Sequence, residues 1–335
     1  MERKSGLNPQ ISVIIPMYND EKFIQTCMDS VLNQTFKNFE VIIVDDCSTD
    51  NSMEILQKYK DSRVKIYHRS RNLGESASRN VGLDLSAGKY VYFMDHDDAI
   101  LENTLETFII AAEESQAEAI YMNSFFVSSD PYFTYPGNID ATKYFTPDPK
   151  PRICTQSLID RLQSEYIDFG LRCEPWLKFF RREFLQTNQI YFPLMYNAGD
   201  VVQNFAVLCL SKKILVIDAC CYIYRVHPGS IMRTSADKYL LKKIESFSAL
   251  IAYMSDILKR INLSRENQII LQAFALFSRI DRGFVSDSLS IEDVDNILSE
   301  VTKEAATMDP DVLRVLLHTL SLVASNANFR LKGEK

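Results

Sequence analysis

A run of apolar residues, YVYFM, ends in a cluster of carboxylates at Asp95, Asp97 and Asp98. No lysine or arginine lies among them, so these carboxylates repel one another unless they are protonated or share a cation. One aspartate could cap the helix that follows, but capping uses one carboxylate rather than three. Mg²⁺ and Mn²⁺ take carboxylate oxygens and complete their shells with phosphate and water, so the cluster predicts a cation site for a phosphate-bearing ligand.

Polar residues also follow the first two apolar runs of the chain. Tyr18 and Asn19 come after ISVIIP, and Asp45 and Asp46 come after FEVIIV. Both runs are rich in β-branched residues and show no alternation, which is typical of strands buried on both faces. Ligands of parallel sheets bind outside the carboxyl ends of the strands, so we expect these side chains and the acidic cluster to form one site.

The elements that position these residues alternate between strand and helix. Over residues 11–122, strand-like runs are followed by segments whose apolar residues recur every three or four positions, as on one face of a helix. This alternation predicts an α/β fold with a Rossmann-like, mostly parallel sheet flanked by helices.

The organisation changes after about residue 125. Five of the eleven prolines lie within 131–151, which predicts a long irregular segment that serves either as a binding loop or as ordinary packing. We expect helices over 158–163 and 176–187. From about Lys238 the apolar spacing is helical to the end of the sequence.

The sequence lacks the signature motifs of two classes of nucleotide-binding enzyme. After ISVIIP the chain continues with MYND and no glycine, whereas dinucleotide binding requires Gly-x-Gly-x-x-Gly at this point. The P-loop pattern Gly-x-x-x-x-Gly-Lys-Ser/Thr does not occur in the sequence. A Rossmann oxidoreductase and a P-loop nucleotide enzyme are therefore disfavoured.

Composition disfavours further classes. The 335 residues carry 37 Lys and Arg against 44 Asp and Glu, a net charge of −7, so the basic footprint of a nucleic-acid partner is not evident. Seven scattered cysteines without a Cys-x-x-Cys pair are typical of reduced thiols. No apolar stretch reaches the ~18 residues of a membrane span, so we expect a cytoplasmic protein that is not integral to a membrane.

Seven segments, in order along the chain, resemble those of a known family. ISVIIPMYND, FEVIIVDDCSTDNS, NLGESASRNVGL and GKYVYFMDHDD resemble the nucleotide-sugar-binding half of family 2 glycosyltransferases, which have the GT-A fold. EPWLKFFRREFLQ, NAGDVVQNFAVLC and CYIYRVHPGSI resemble the acceptor half of bacterial members. The resemblance covers roughly residues 10–233. It divides the chain into a GT-A domain over 1–235, with halves at 10–125 and 126–235, and a helical extension over 236–335.

The resemblance implies an inverting transfer of a sugar from a nucleotide donor, expected to be UDP-linked, to a hydroxyl group of a glycan or lipid-linked glycan. Mn²⁺ or Mg²⁺ is implied as the cofactor. The implied donor-binding residues are Pro16, Tyr18, Asn19, Asp45, Asp46, Arg79, Asp95 and Asp97. The implied metal ligands are Asp97, Asp98 and His227, although Asp98 also suits a cap of the next helix.

The resemblance also implies a general base on the acceptor side. Asp200 matches its position and would take the proton of the acceptor hydroxyl as that oxygen attacks the anomeric carbon. Gly199 stands where the family usually has glutamate, and His96 stands in the middle of the Asp-x-Asp motif, where the family usually has a small residue. His96 could contact the sugar or the metal, but we expect its side chain to point away from the carboxylates and to pack or form a hydrogen bond within the protein. The implied acceptor-side residues are Glu174, Trp176 and Lys178.

Two other functions stay open at this point. One is nucleotidyl transfer onto a sugar phosphate, although the Gly-rich basic loop common in such enzymes is missing after the first strand. The other is a non-catalytic sugar-binding or scaffold protein. Three roles stay open for the C-terminal helical region, which could pack on the catalytic domain, form a homodimer or lie against the inner face of the cell membrane.

Overall fold

The computed structural model describes residues 8–128, 130, 132–135, 141–145, 152–154, 173–195 and 199–227, with 253, 256, 257, 259 and 260. The helix expected over 158–163 and most of the helical region over 236–335 lie outside the described residues. The strands are β1 Ile11–Met17, β2 Phe39–Asp45, β3 Val64–His68, β4 Tyr90–Phe93, β5 Ala99–Ile100, β6 Ala119–Ser128, β7 Ala141–Phe145, β8 Arg152–Cys154, β9 Lys178–Arg181 and β10 Ile214–Arg225.

The helices alternate with the strands in the first part of the chain, as the apolar spacing predicts. Those with described bounds are α1 Ile24–Leu32, α2 Ser52–Leu56, α3 Glu75–Leu85, α4 Thr104–Ser115, α5 Arg182–Thr187 and α6 Gly199–Leu210. The chain thus has the predicted α/β fold.

All ten strands lie in one mixed sheet whose main path runs β3-β2-β1-β4-β9-β6-β10-β5. The first four strands of this path form a parallel block. β9 then enters antiparallel to both β4 and β6, and β10 runs parallel to β6. Because β1, β2 and β4 are parallel neighbours, the loops that follow them leave the sheet at the same edge.

Two segments differ from the sequence-based predictions. Segment 131–151 is not irregular throughout, because Ala141–Phe145 pairs with β6, and the prolines bracket these residues without falling among them. The helix expected over 176–187 is instead a 3₁₀ turn at Pro175–Leu177, then β9, then α5. β9 lies between β4 and β6 in the interior of the sheet, where apolar periodicity does not distinguish a strand from a helix.

The chain divides into two compact units. The first comprises Met1–Gln156, Arg172–Leu194 and Gly199–Arg233, and the second comprises Ser157–Leu171, Met195–Ala198 and Thr234–Lys335. Nearly all described residues belong to the first unit. Among the described residues, no helix is long and apolar enough to cross a membrane. The domain boundary at residue 235 stays a prediction.

Candidate active site

Several of the predicted donor-side residues lie at the carboxyl edge of the parallel block. The backbone N–H of Asp46 donates to the carbonyl of Met17 at 2.8 Å, and that of Met94 donates to the carbonyl of Ile14 at 3.0 Å. These bonds hold the residues after β2 and β4 against β1. Tyr18, which follows β1, therefore shares one edge with Asp46 and the acidic cluster.

Asp97 and His227 form a carboxylate–imidazole pair at this edge. Asp97 lies in the turn after β4, His227 lies two residues after β10, and His227 Nε2 is 2.9 Å from Asp97 Oδ2. Burial alone would raise the pKa of Asp97, but the hydrogen bond to His227 and the positive charges of His96 and His227 hold this pKa below its ordinary value. The two side chains are 21% and 13% exposed, so both can reach a ligand.

A divalent ion at this pair would need further ligands from outside the protein. Among the described residues, no three His, Cys, Asp or Glu side chains are arranged to hold a metal ion. Asp97 offers a carboxylate oxygen and His227 an imidazole nitrogen, which together with diphosphate oxygens and water match the ligands that Mn²⁺ or Mg²⁺ accepts. The residues present therefore fit a cation that arrives with a phosphate-bearing ligand.

Asp98 does not join this pair. Its carboxylate is fully buried and accepts hydrogen bonds from the Tyr222 hydroxyl at 2.5 Å and the Arg225 backbone N–H at 2.7 Å. Burial raises its pKa well above the ordinary value. The predicted role of Asp98 as a metal ligand does not agree with these contacts. The alternative, that Asp98 caps the next helix, is also wrong because α4 begins only at Thr104. Asp98 instead fastens the Asp-x-Asp turn to β10.

His96, in the middle of the motif, forms an ion pair that the sequence did not indicate. Its Nδ1 lies 3.0 Å from Oδ2 of Asp20, in the loop after β1. Burial alone would lower the pKa of His96, but Asp20, with Asp97 and Asp95, raises it to about 10. The imidazole is therefore protonated near neutral pH, and the pair joins the Asp-x-Asp turn to the loop after β1.

Arg79 connects α3 to the first aspartate of the motif. Its Nη2 donates to Oδ1 of Asp95 at 2.7 Å and to the carboxylate of Glu75 one turn earlier. The Arg79 side chain is 6% exposed and lies over the ring of Phe192 at 5.2 Å. Glu75 begins α3 and gave no signal in the sequence beyond its place after Gly74.

Asp45 and Asp46 are adjacent at the end of β2. The carboxylates of both residues form close polar contacts with other groups of the protein. Asp46 is 3% exposed and accepts hydrogen bonds from the backbone N–H of Gly74 at 2.7 Å and the guanidinium of Arg69 at 2.9 Å. Asp45 is fully buried, with Oδ2 2.5 Å from His68 Nδ1. Both carboxylates fix the segment that leads into α3. A contact between Asp46 and a nucleotide base stays a prediction.

Pro16, Tyr18 and Asn19, which are predicted to bind the nucleotide-sugar donor, differ in their exposure and contacts. Pro16 is buried within β1, whereas Tyr18 is 44% exposed and presents a ring on which a base can stack. Asn19 has a φ of 51°, in the left-handed region that asparagine tolerates. Its Oδ1 accepts from the backbone N–H of Thr49 at 2.7 Å, and its own N–H donates to Ser48 Oγ at 2.9 Å. Asn19 therefore ties the loop after β1 to the loop after β2.

Asp200 lies in the first turn of α6, where the helix dipole stabilises a negative side chain. It is half-buried, and its Oδ1 accepts from the backbone N–H of Val201 at 2.8 Å. A Cβ at Gly199 would lie 2.5 Å from Ser76 Oγ and 3.1 Å from the carbonyl oxygen of Pro193. The absence of a side chain at Gly199 thus has a packing reason, because α3 and α6 meet there.

Adding a methyl group at this meeting point is expected to destabilise the fold. Gly199→Ala should lower the free energy of unfolding by about 1–3 kcal/mol, since the new Cβ overlaps Ser76 Oγ. The double variant Gly199→Ala with Ser76→Ala removes the overlapping oxygen and should recover most of the loss. Urea unfolding of the four proteins in this cycle measures both effects. Wild-type stability in Gly199→Ala alone would contradict the close contact.

The three residues predicted to contact the acceptor differ in burial. Trp176 is 5% exposed and stacks on Tyr222 with ring centroids 4.1 Å apart. Lys178 is fully buried, and its Nζ donates to the carbonyl oxygen of Glu174 at 2.9 Å. A contact of Trp176 or Lys178 with an acceptor does not agree with this burial, so both are core residues. Glu174 is half-buried, and its acceptor role stays a prediction.

Arg225 is a central residue that sequence reasoning missed. It is 1% exposed, its Nε donates to the carbonyl oxygen of Asp97 at 2.5 Å, and its Nη1 donates to that of Phe133 at 3.3 Å. The guanidinium also lies 3.7 Å from the ring centroid of Phe133 and 4.6 Å from that of Phe23. Arg225 thereby joins β10, the Asp-x-Asp turn and the segment after β6. A single charge ending the apolar run CYIY was the only signal in the sequence.

Comparison with known proteins agrees with this architecture. The family model described as "Glycosyl transferase family 2" matches residues 12–183. The chain is 30% identical over 234 residues to the glycosyltransferase GlyG of Streptococcus pneumoniae, an alignment that covers 68% of this chain and 74% of GlyG.

Solved structures share the fold at lower identity. Staphylococcus aureus TarS, residues 1–349 in complex with UDP-GlcNAc, superposes with a TM-score of 0.69 at 22% identity, covering 90% of this chain and 82% of that chain. The mannosyltransferase PcManGT of Pyrobaculum calidifontis, in complex with GDP-Man and Mn²⁺, superposes with a TM-score of 0.50 at 15% identity, covering 94% of this chain and 86% of that chain. At these identities the likeness is one of fold.

Proposed function

The chain belongs to glycosyl transferase family 2 and is a glycosyltransferase with a nucleotide-sugar donor, and from that premise we propose a metal-dependent, inverting transfer from a UDP-sugar to a hydroxyl group of a glycan or lipid-linked glycan. The observation that carries the proposal is the Asp97–His227 pair at the carboxyl edge of the parallel block, with Arg79 and Asp95 beside it. That UDP-GlcNAc and Mn²⁺ accompany structural relatives supports the choice of donor and cofactor.

Each residue at this edge has a distinct role in the proposal. Asp97 and His227, both partly exposed, would hold the cation, and the exposed ring of Tyr18 would stack on the uracil. Asp95, kept in place by Arg79, accepts hydrogen bonds from the ribose. A bound Mn²⁺ or Mg²⁺ would offset the negative charge that develops on the nucleoside diphosphate as it leaves.

Asp200 acts on the other reactant. Its carboxylate accepts the proton of the acceptor hydroxyl while that oxygen attacks the anomeric carbon from the side opposite the diphosphate. One displacement of this kind inverts the anomeric configuration. Asp200 is only half-buried in the first turn of α6, so its carboxylate can meet a ligand, and this supports the role.

Calorimetric titration with UDP tests the donor and metal parts of the proposal. We expect UDP to bind in the presence of Mn²⁺ and to bind at least about tenfold more weakly in EDTA, since a cation held by Asp97 and His227 would offset the charge of the diphosphate. A hydrolysis screen of UDP- and GDP-sugars with Mn²⁺ should favour a UDP-sugar. Equal UDP affinity with and without metal would contradict metal dependence, and preference for a GDP-sugar would contradict the donor.

A further inference from the structure

Arg225 is joined to both of the residues proposed to hold the cation. Its Nε donates to the backbone carbonyl oxygen of Asp97 at 2.5 Å. Its backbone N–H donates to Oδ1 of Asp98, the next residue of the turn, at 2.7 Å. His227 follows Arg225 by two residues, just beyond β10, and its Nε2 lies 2.9 Å from Oδ2 of Asp97. The turn that carries Asp97 and the strand end that carries His227 are therefore held to each other through Arg225.

The guanidinium of Arg225 contacts two buried phenylalanine rings. It lies 3.7 Å from the ring centroid of Phe133 and 4.6 Å from that of Phe23. Nη1 also donates to the carbonyl oxygen of Phe133 at 3.3 Å. The Phe23 ring is in turn 4.7 Å, between centroids, from the imidazole of His227. Because the planar side chain is held by these contacts and is 1% exposed, the positions that it sets for its partners are fixed as well.

The charge of Arg225 does not by itself favour a cation at this edge. Burial lowers the pKa of the guanidinium, whereas three nearby carboxylates raise it, those of Asp98, Asp97 and Asp20. An arginine with such partners stays protonated near neutral pH. A fixed positive charge repels a divalent ion, and a guanidinium has no lone pair to offer as a ligand. A contribution of Arg225 to metal binding must therefore come from the geometry that it imposes.

We propose that Arg225 is a positioning residue that keeps Asp97 and His227 at the separation a divalent cation needs, so that the affinity for Mn²⁺ depends on a side chain that offers no ligand itself. This inference rests on the proposed function, because it assumes that the Asp97–His227 pair holds the cation. With two protein ligands, cation binding is sensitive to their relative placement. Groups that orient metal ligands by hydrogen bonds typically contribute about 10- to 100-fold to metal affinity.

The test is a titration with Mn²⁺ at saturating UDP, followed by the electron paramagnetic resonance signal of free Mn²⁺. Arg225→Met keeps an apolar stem but removes the side-chain hydrogen bonds, and should raise the Kd for Mn²⁺ about tenfold or more. Arg225→Lys keeps the positive charge but loses the planar fork, and should raise this Kd about three- to tenfold. UDP binding in EDTA should not change in either variant.

A second variant and a matched control accompany these two. Phe133→Leu removes a ring that contacts the guanidinium and leaves both proposed ligands in place, so the Kd for Mn²⁺ should rise about two- to fivefold. Arg182→Met is the control. Arg182 Nε also donates to a backbone carbonyl oxygen, that of Gly88, at 2.5 Å, but Gly88 precedes β4 and lies at the opposite edge of the sheet. This variant should keep the Kd within about twofold of wild type.

The outcomes separate this inference from the proposed function. A wild-type Kd in Arg225→Lys, or a lower Kd in Arg225→Met, would show that only the charge of Arg225 matters and would overturn the inference. An equal weakening of UDP binding in EDTA would overturn it too, because the whole site would then be disturbed. If Arg225→Met does not fold, an unchanged Kd in Phe133→Leu overturns the inference. Absence of Mn²⁺-dependent UDP binding in the wild-type protein would instead contradict the proposed function.

Discussion

Asp97→Asn is expected to lower the rate of sugar transfer or donor hydrolysis by about 100-fold or more, since the cation that Asp97 would hold would contribute several kcal/mol to transition-state stabilisation. Asp97 is the motif carboxylate that lies next to His227 and is exposed enough to reach a ligand. Asparagine keeps the size of the side chain but removes its charge. Mn²⁺-dependent UDP binding should therefore weaken along with the rate, whereas UDP binding in EDTA should not change.

The matched control for Asp97 is Glu113, a carboxylate in the last turn of α4. Glu113 pairs with Lys89 at 2.6 Å on the surface, so Glu113→Gln removes one negative charge away from the site and should leave rate and affinity within about twofold. Activity of Asp97→Asn within threefold of wild type would contradict the metal-binding role. A loss of UDP binding in EDTA as well would point to a disturbed turn rather than a lost ligand.

Asp200→Asn is expected to give the second large effect, a fall in kcat of about 10³-fold, within the range that general bases contribute. Asparagine retains an oxygen that can accept the hydrogen bond from Val201, so the first turn of α6 should stay intact. The donor site does not use Asp200 in the proposed mechanism. The affinity for UDP with Mn²⁺ should thus stay within about twofold of wild type, and the melting temperature should change little.

The control for Asp200 is Asp218→Asn, which changes an exposed aspartate on β10 and should leave all measured quantities unaltered. Calorimetry for UDP and a donor-hydrolysis assay on the same preparations separate binding from chemistry. Equal losses of UDP affinity and turnover in Asp200→Asn would contradict the assignment of Asp200 as the base. A variant that still turns over near the wild-type rate would contradict it as well.

The location of the site followed from a simple sequence pattern. Buried strands read as continuous apolar runs, and the polar residues that end such runs in a parallel block must share one edge. The sequence therefore predicts that Tyr18, Asp46 and Asp97 share one edge. The outcome for Asp98 shows the limit of the pattern, because adjacent residues in a turn point in different directions. Only the hydrogen bonds from Tyr222 and Arg225 assign this carboxylate to the interior.

The second half of the fold depended more on long-range contacts. Segment 178–181 has the sequence KFFR and lies between β4 and β6, and a run this short fits a helix or a strand equally well. Its antiparallel insertion also decides that Trp176 and Lys178 lie in the core rather than beside an acceptor. Burial of a lysine beneath a tyrosine ring has no local sequence signature.

The sequence by itself determined the α/β class, the edge that carries the site and the family, because these depend on local periodicity and on motifs of adjacent residues. The tertiary structure decided which acids are partly exposed at that edge and which are buried among protein partners. It also revealed the Asp20–His96 pair, the contacts of Arg225 and the close approach of α3 and α6 at Gly199. These features join residues that are distant in sequence, and such pairings arise only when separate strands and helices meet in the folded chain.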